Sequence, residues 1–181
     1  MVYIIIIIAA IPIIWGITTY NALLRLRRNV LNSWAQIDVQ LKRRHDLIPN
    51  LVNTVKGYAS HEASTFAAVA TARTHAMSAG GPAESIDAEK GLTSAVGRLL
   101  ALAEAYPQLR ASSSFLELQT QLADTENRIA LKRETYNDAV TSFNTRIQTF
   151  PAVLIASSQG FVEQALFSAE AAERVLPEVR F

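Results

Sequence analysis

The N-terminal segment constrains this chain more than any other feature. Residues 2–19 carry no charge, and eight of the first sixteen residues are isoleucine. As an α-helix, this segment would span about 27 Å, close to the hydrocarbon thickness of a bilayer. Trp15 and Tyr20 lie near one end, as aromatic residues often do at membrane interfaces. The sequence therefore predicts a transmembrane anchor over residues 1–20.

The charges around this segment indicate its orientation. Arg25, Arg27 and Arg28 follow it, and no lysine or arginine precedes it. A cleaved signal peptide carries basic residues before its apolar run, so a retained anchor is favoured. Basic residues concentrate on the cytoplasmic side of membrane helices. We therefore expect a single-pass protein of the inner (cytoplasmic) membrane, with its N-terminus outside and its C-terminal domain in the cytoplasm.

The rest of the chain is divided by charge. Residues 21–56 contain seven basic and two acidic side chains, which gives a net charge of +5. Residues 57–181 contain ten basic and fourteen acidic side chains, which gives a net charge of −4. The basic part adjoins the predicted anchor, where it complements anionic lipid headgroups. The bilayer is thus the first expected partner.

Hydrophobic spacing predicts helices throughout the remainder. Apolar residues between positions 20 and 58 recur at intervals of three, four or seven, which is typical of one helix face packed against others. The members of this seam are Leu23, Val30, Trp34, Ile37, Leu41, Ile48, Val52 and Val55. No breaker separates this helix from the apolar segment, so the two are expected to form one continuous rod, with a kink at Pro49 near His45.

Further helices are predicted over residues 61–77, 85–105 and 112–149, with Ser60 as a candidate N-cap. A helical turn is expected over 152–158, and an amphipathic helix begins at Phe161. The seam of the 112–149 helix is predicted to run from Phe115 to Phe150. The fold class is therefore all-α: a transmembrane helix continuing into an antiparallel bundle of about four long helices. We divide the chain into an anchor (1–20), a helical bundle (21–160) and a C-terminal amphipathic helix or tail (161–181).

Several motifs occur together in a recognisable order. They are YN at 20–21, LRLR at 24–27, NSWAQIDVQLKRR at 32–44, DLIPNLV at 46–52, AEAYP at 103–107, TENRIA at 125–130, YN at 136–137 and FP at 150–151. This series resembles the LemA family of bacterial membrane proteins over nearly the whole chain. The resemblance implies one N-terminal membrane helix and a cytoplasmic helical domain, and it brings no established activity, cofactor or substrate.

Motifs for catalysis are incomplete or missing. His61-Glu62 begins like a zinc-protease HExxH motif, but Thr65 stands where the second histidine is required. The residues three before each histidine are not acidic, which argues against a di-iron bundle. The chain has no cysteine, no glycine-rich phosphate loop and no Gly-x-Ser-x-Gly element. We expect no enzymatic activity, no cofactor and no metal.

Interaction is therefore the expected role. Lys42, Arg43 and Arg44 form a basic cluster. We interpret it first as a solvated or inter-subunit face, with lipid headgroups or another polyanion as alternatives. Nucleic acid is not an expected partner. Val179 and Phe181 could dock on a neighbouring copy. The favoured function is a homo-oligomeric scaffold at the cytoplasmic face of the membrane, and the alternative is an adaptor for a membrane protease or another envelope protein.

Overall fold

A computed structural model describes residues 2–167, with backbone alone for Val2 and residues 4–9. The described chain consists of helices joined by turns and short extended segments, with no strand. The helices are α1 (Val2–Lys56), α2 (Ala63–Ser78), α3 (Pro82–Glu104), α4 (Pro107–Arg110), α5 (Ser113–Gln148) and α6 (Ala152–Ser158). The all-α prediction is confirmed.

The first helix, α1, is continuous from the apolar segment into the folded body. It contains 55 residues, includes both Pro12 and Pro49, and ends immediately before Gly57. The predicted continuity through Tyr20 is therefore confirmed. The predicted seam is also confirmed, because Leu23, Ile37 and the other seam residues of α1 are buried or half-buried.

The main packing partner of α1 is α5, which runs antiparallel to it. The direction follows from the pairs of residues in contact. The Trp34 and Tyr136 rings meet edge to face with centroids 5.6 Å apart, and the Lys132 ammonium donates to the Gln36 side chain. The partner residue thus moves back along α5 as the position moves forward along α1, as in an antiparallel helix pair.

The helices α2 and α3 form a second antiparallel pair against the C-terminal half of α1. Gly81 and Pro82 open α3, and a proline is well accommodated at a first helical position because its missing N–H has no partner there in any case. The predicted N-cap at Ser60 is wrong: α2 begins later, after Glu62, and no side chain caps it. The reason is that the backbone first makes turns at Tyr58 to Glu62.

Buried apolar side chains form two cores in the described chain. The distal core joins the C-terminal half of α1 to α2, α3, α4 and the start of α5, and its larger members are Ile48, Leu51, Val55, Phe66, Val69, Leu92, Val96, Leu99, Leu109 and Phe115. The proximal core joins residues 23–41 of α1 to residues 129–147 of α5, to α6 and to the start of α3, and its larger members are Leu23, Val30, Ile37, Leu41, Ile86, Ile129, Tyr136, Val140, Phe143, Ile147 and Phe167.

The chain leaves α6 through Gly160, whose φ of +67° lies in the left-handed region that glycine adopts without strain. Residues 161–167 then run extended, so the helix predicted from Phe161 is wrong for its described part. Side chains of α5 bind the backbone N–H and C=O groups that such a helix would need for itself. Residues 168–181 lie outside the described residues.

Candidate functional site

The N-terminal end of α1 presents apolar side chains to its surroundings. Ile11, Ile13, Ile14 and Ile17 are each more than half exposed. Trp15 is half-buried, Tyr20 is 36% exposed, and the three arginines that follow are exposed. Over the residues that the structure describes, no helix combines the length and the apolar character that a membrane crossing needs. The crossing by residues 1–20 stays a prediction from the sequence.

The short helix α6 lies beside this end of α1. The Cδ1 atom of Ile155 would be 3.9 Å from a Cβ built on Gly16. One turn further along α1, the Tyr20 ring meets the Phe161 ring edge to face, with centroids 6.1 Å apart. The end of α5, the helix α6 and the apolar end of α1 therefore share one end of the molecule.

A buried ionic centre lies between the two cores. The Arg44 guanidinium donates to the Glu89 carboxylate over 3.1 Å and to the Thr93 hydroxyl over 2.9 Å. The His45 Nε2 atom lies 2.5 Å from the other Glu89 oxygen. Arg44 and Glu89 are 3% and 1% exposed. Removal of either partner would leave an uncompensated buried charge, so the two side chains depend on each other's position.

The partners of this centre come from three helices. Arg73 of α2 donates to the backbone carbonyl of His45 over 2.7 Å, and Glu126 of α5 lies 3.5 Å from the Arg44 guanidinium. The centre thus ties α1 to α2, α3 and α5. Among the side chains that the structure describes, no three His, Asp or Glu groups lie close enough together to hold a metal ion.

This placement changes the interpretation of the basic cluster. Lys42 and Arg43 are exposed, and Arg43 lies 3.9 Å from Asp124. Arg44, by contrast, points into the bundle, so the expectation of a solvated face does not hold for it. Its position has a physical reason: it stands three residues after Leu41 and four before Ile48, which is the spacing of the buried seam.

An open groove of about 420 Å³ lies next to the centre, between α3 and α5. Arg44 and Glu126 border it, and apolar side chains, including Val96, Leu100 and Leu122, line much of the rest. Gly97 of α3 also faces the groove, and a Cβ built there meets nothing within 4 Å. The groove is large enough for a small ligand or for side chains of another protein.

Two asparagines of α5 bind the extended segment 161–167. Asn144 exchanges two hydrogen bonds with the backbone of Gln164, both 2.9 Å long. Asn137 does the same with Phe167, over 2.9 and 2.8 Å. Seven helical residues advance about 10.5 Å and three extended residues advance about 10 Å, so the two spacings match.

The end of this segment is also held by rings. Phe167 is 3% exposed and stacks on Trp34, and the Arg133 guanidinium lies 4.1 Å from the centre of the Phe167 ring. The Tyr136 hydroxyl donates to the carbonyl of Ala165. Burial raises the pKa of this phenol. Segment 161–167 is thus a packed part of the body.

Sequence reasoning missed several of these residues. Glu89 stands three residues before Leu92 and seven before Val96, which places it on the buried face of α3. An acidic residue at such a position is the sequence signal that could have indicated a buried ion pair. Asn137 and Asn144 stand seven residues apart and so lie on one stripe of α5, but their role could not be predicted because the segment that they bind was expected to be helical. Val179 and Phe181 lie outside the described residues, and their docking role stays a prediction.

The sequence model of the LemA family matches residues 33–181. The chain belongs to the LemA family. The buried centre, the asparagine-bound segment and the groove all lie within the matched region, whereas the whole apolar segment of α1 precedes it.

Three curated relatives show how far the similarity extends. The chain is 28% identical over 174 residues to magnetosome protein MamQ 2 of Paramagnetospirillum magneticum, covering 82% of this chain and 64% of the relative. It is 28% identical over 168 residues to magnetosome protein MamQ of Magnetospirillum gryphiswaldense, covering 78% and 62%. Protein LemA of Metamycoplasma hominis is 28% identical over 156 residues, covering 86% and 71%. The LemA-family chain thus spans less than two thirds of the length of these MamQ proteins.

Proposed function

We propose that this LemA-family chain is a membrane-anchored, non-catalytic scaffold that assembles into a homo-oligomer. The observation that carries the proposal is the continuity of α1, which joins the uncharged N-terminal segment to both cores without an intervening loop. Between Pro12 and Pro49 the helix contains no proline, so its hydrogen-bonded backbone runs uninterrupted from the apolar segment into the proximal core and can transmit orientation. Residues 1–20 act as the anchor and fix the angle between body and bilayer.

The anchor places the body at the inner membrane, on its cytoplasmic side. The support is the uncharged run of residues 2–19 followed by the exposed Arg25, Arg27 and Arg28. Basic side chains at this position favour the cytoplasmic side and add about 1 kcal/mol each near an anionic surface. The names of two relatives place those proteins in magnetosomes, which agrees with a membrane setting.

Contact between copies is supported by apolar side chains on the outside of the body. Leu31 and Val39 of α1 are 55% and 63% exposed, and Leu131 of α5 is 61% exposed. Two helices thus present large apolar groups that the bundle itself does not bury. Association of identical chains would cover these groups, and most soluble oligomers are symmetric assemblies of this kind.

The test has two parts. In membranes treated with alkaline carbonate, the full chain should stay in the pellet, and deletion of residues 2–19 should release it. Native mass spectrometry of the detergent extract should show several copies per particle, and Val39→Asp with Leu131→Asp should lower that number. As a matched control, Asp87→Asn changes an exposed residue of α3 and should leave the copy number unchanged. A released full chain or a population of monomers alone would contradict the proposal.

A second candidate function is an adaptor for a membrane protease or another envelope protein, and the groove between α3 and α5 favours it. Gly97→Leu should fill this groove, whereas Gly91→Leu adds the same side chain to α3 outside it. If the adaptor proposal is right, a partner that co-purifies with the full chain should be lost with the first variant and kept with the second. Equal recovery with both variants would argue against the groove as the binding surface.

A further inference from the structure

The chain contains a second long segment without charge. Between Arg146 and Glu163, sixteen consecutive residues carry no acidic or basic side chain. They include the end of α5, the whole of α6 and the turn that enters the extended segment. The segment is too short and too interrupted to cross a bilayer, so its lack of charge needs another explanation.

The fold places this segment beside the uncharged end of α1. Ile155 approaches Gly16, which precedes Tyr20 by about 6 Å along the helix axis. α6 is thus level with the part of α1 where Trp15 and Ile17 lie, on the anchor side of the arginines. Two uncharged segments that are far apart in the sequence meet at one end of the molecule.

One part of the segment packs on the proximal core: Ile147, Ala152 and Ala156 are buried, and Ile155 and Phe161 are half-buried. Three larger side chains are left uncovered, because Phe150, Leu154 and Val162 are 80%, 59% and 67% exposed. Phe150 was predicted to continue the buried seam of α5, and that prediction is wrong because α5 ends at Gln148 and the chain turns at Phe150 and Pro151. Side chains of this size on a short turn are costly to leave in water.

Exposed basic residues adjoin both uncharged segments. Arg25 of α1 and Arg146 of α5 are exposed, and each is the first charged residue next to the uncharged stretch of its helix. The nearest acid, Glu163, is exposed and accepts a hydrogen bond from Gln148. An apolar surface bordered by cations matches the order of layers in an anionic membrane, from acyl chains to headgroups.

We propose that Phe150, Leu154 and Val162 form a second membrane contact, which lies in the boundary between headgroups and acyl chains next to the anchor. The inference rests on the proposed anchoring of α1 and adds a second point of attachment. A rod held at one point can tilt, whereas two adjacent points fix its tilt and its rotation. The lipid surface is the occupant favoured by the shared end with α1 and by the flanking arginines; a second copy of the chain is the competing occupant.

The absence of cysteine allows a site-specific test on the full chain. Leu154→Cys is labelled with the environment-sensitive fluorophore NBD, and the protein is reconstituted in vesicles of phosphatidylcholine and phosphatidylglycerol. Leu131→Cys is the matched control, because Leu131 is also an exposed leucine but lies about 26 Å from the end of α5 along its axis. Ile11→Cys reports the anchor.

Doxyl-labelled lipid should quench the Leu154 label at least threefold more than the Leu131 label, and aqueous iodide should show the reverse order. Strong lipid quenching at Ile11 with none at Leu154 would overturn this inference and leave the anchor intact. No lipid quenching at either position would overturn the anchor and the inference together. If the Leu154 label is shielded from iodide without lipid quenching, and the shielding is lost on dilution with lipid, the patch contacts a second copy and the inference is wrong.

Discussion

The side-chain amide of Asn144 binds both the backbone C=O and the backbone N–H of Gln164. The asparagine Nδ2 donates to the Gln164 carbonyl and the Gln164 N–H donates to the asparagine Oδ1, each over 2.9 Å. The side-chain amide thereby supplies the hydrogen-bond donor and acceptor that a neighbouring β-strand would otherwise provide for an extended segment. The same arrangement recurs at Asn137 and Phe167.

Asn144→Ala should therefore lower the free energy of unfolding by about 2 kcal/mol, since two partly buried hydrogen bonds are lost and each is worth about 1 kcal/mol. Urea denaturation measures this change, and hydrogen exchange at the Gln164 amide should accelerate. Asn29→Ala, at an exposed position of α1, is the control and should change stability by less than about 0.5 kcal/mol. Unaltered hydrogen exchange at the Gln164 amide would show that Asn144 does not hold segment 161–167 in place.

Glu89→Gln should destabilise the fold by about 3–5 kcal/mol, because it leaves the buried Arg44 charge without its closest counter-ion. The double variant Arg44→Met with Glu89→Leu should be more stable than Glu89→Gln, since no buried charge remains. Asp87→Asn provides the control two residues earlier on α3, where the ion pair with Lys90 is exposed. Chemical denaturation of the four proteins gives the comparison. A double variant less stable than the single one would contradict the account of this centre.

Tyr136→Phe should change the pH dependence of stability. Burial raises the folded-state pKa of the Tyr136 phenol above its ordinary value of about 10. As pH rises, the unfolded chain loses this proton first, so the stability that depends on the neutral phenol is complete below about pH 10 and is lost above it. At pH 8 the variant should be less stable by about 1 kcal/mol, for the lost hydrogen bond to Ala165. By pH 11 the difference should shrink or reverse; a constant difference would count against the raised pKa.

Gly91→Ala and Gly97→Ala should each stabilise the protein by about 0.5–1 kcal/mol, because both glycines lie inside α3 and a Cβ meets nothing within 4 Å. Gly160→Ala should instead destabilise the protein, since the φ of +67° at this position is unfavourable for alanine. Thermal or urea unfolding of the three variants checks the signs. Destabilisation by the α3 substitutions would mean that these positions are more closely packed than the structure shows.

The helices and their seams could be predicted from the sequence because hydrophobic spacing reports directly on helix faces. The seams of α1 and α5 followed from intervals of three, four and seven, and the continuity of α1 followed from the absence of a breaker near Tyr20. The error at Phe150 arose because periodicity does not show where a helix ends when an apolar residue follows.

The buried centre and the extended segment could not be predicted in the same way. Arg44 and Glu89 are 45 residues apart, and their pairing depends on how α1 and α3 are packed. Segment 161–167 has an apolar pattern compatible with a helix, and the preference for an extended conformation comes from Asn137 and Asn144 of another element. In segment 161–167, hydrogen bonds to another helix thus outweigh the local propensity to form a helix.

Electron microscopy of the full chain in lipid nanodiscs tests whether α1 holds the body rigidly at the membrane. We expect particles with several copies, in which the density of α1 is continuous from the bilayer into a body held at one fixed angle. Single copies, bodies at variable angles to the disc, or a body detached from the bilayer would contradict this expectation.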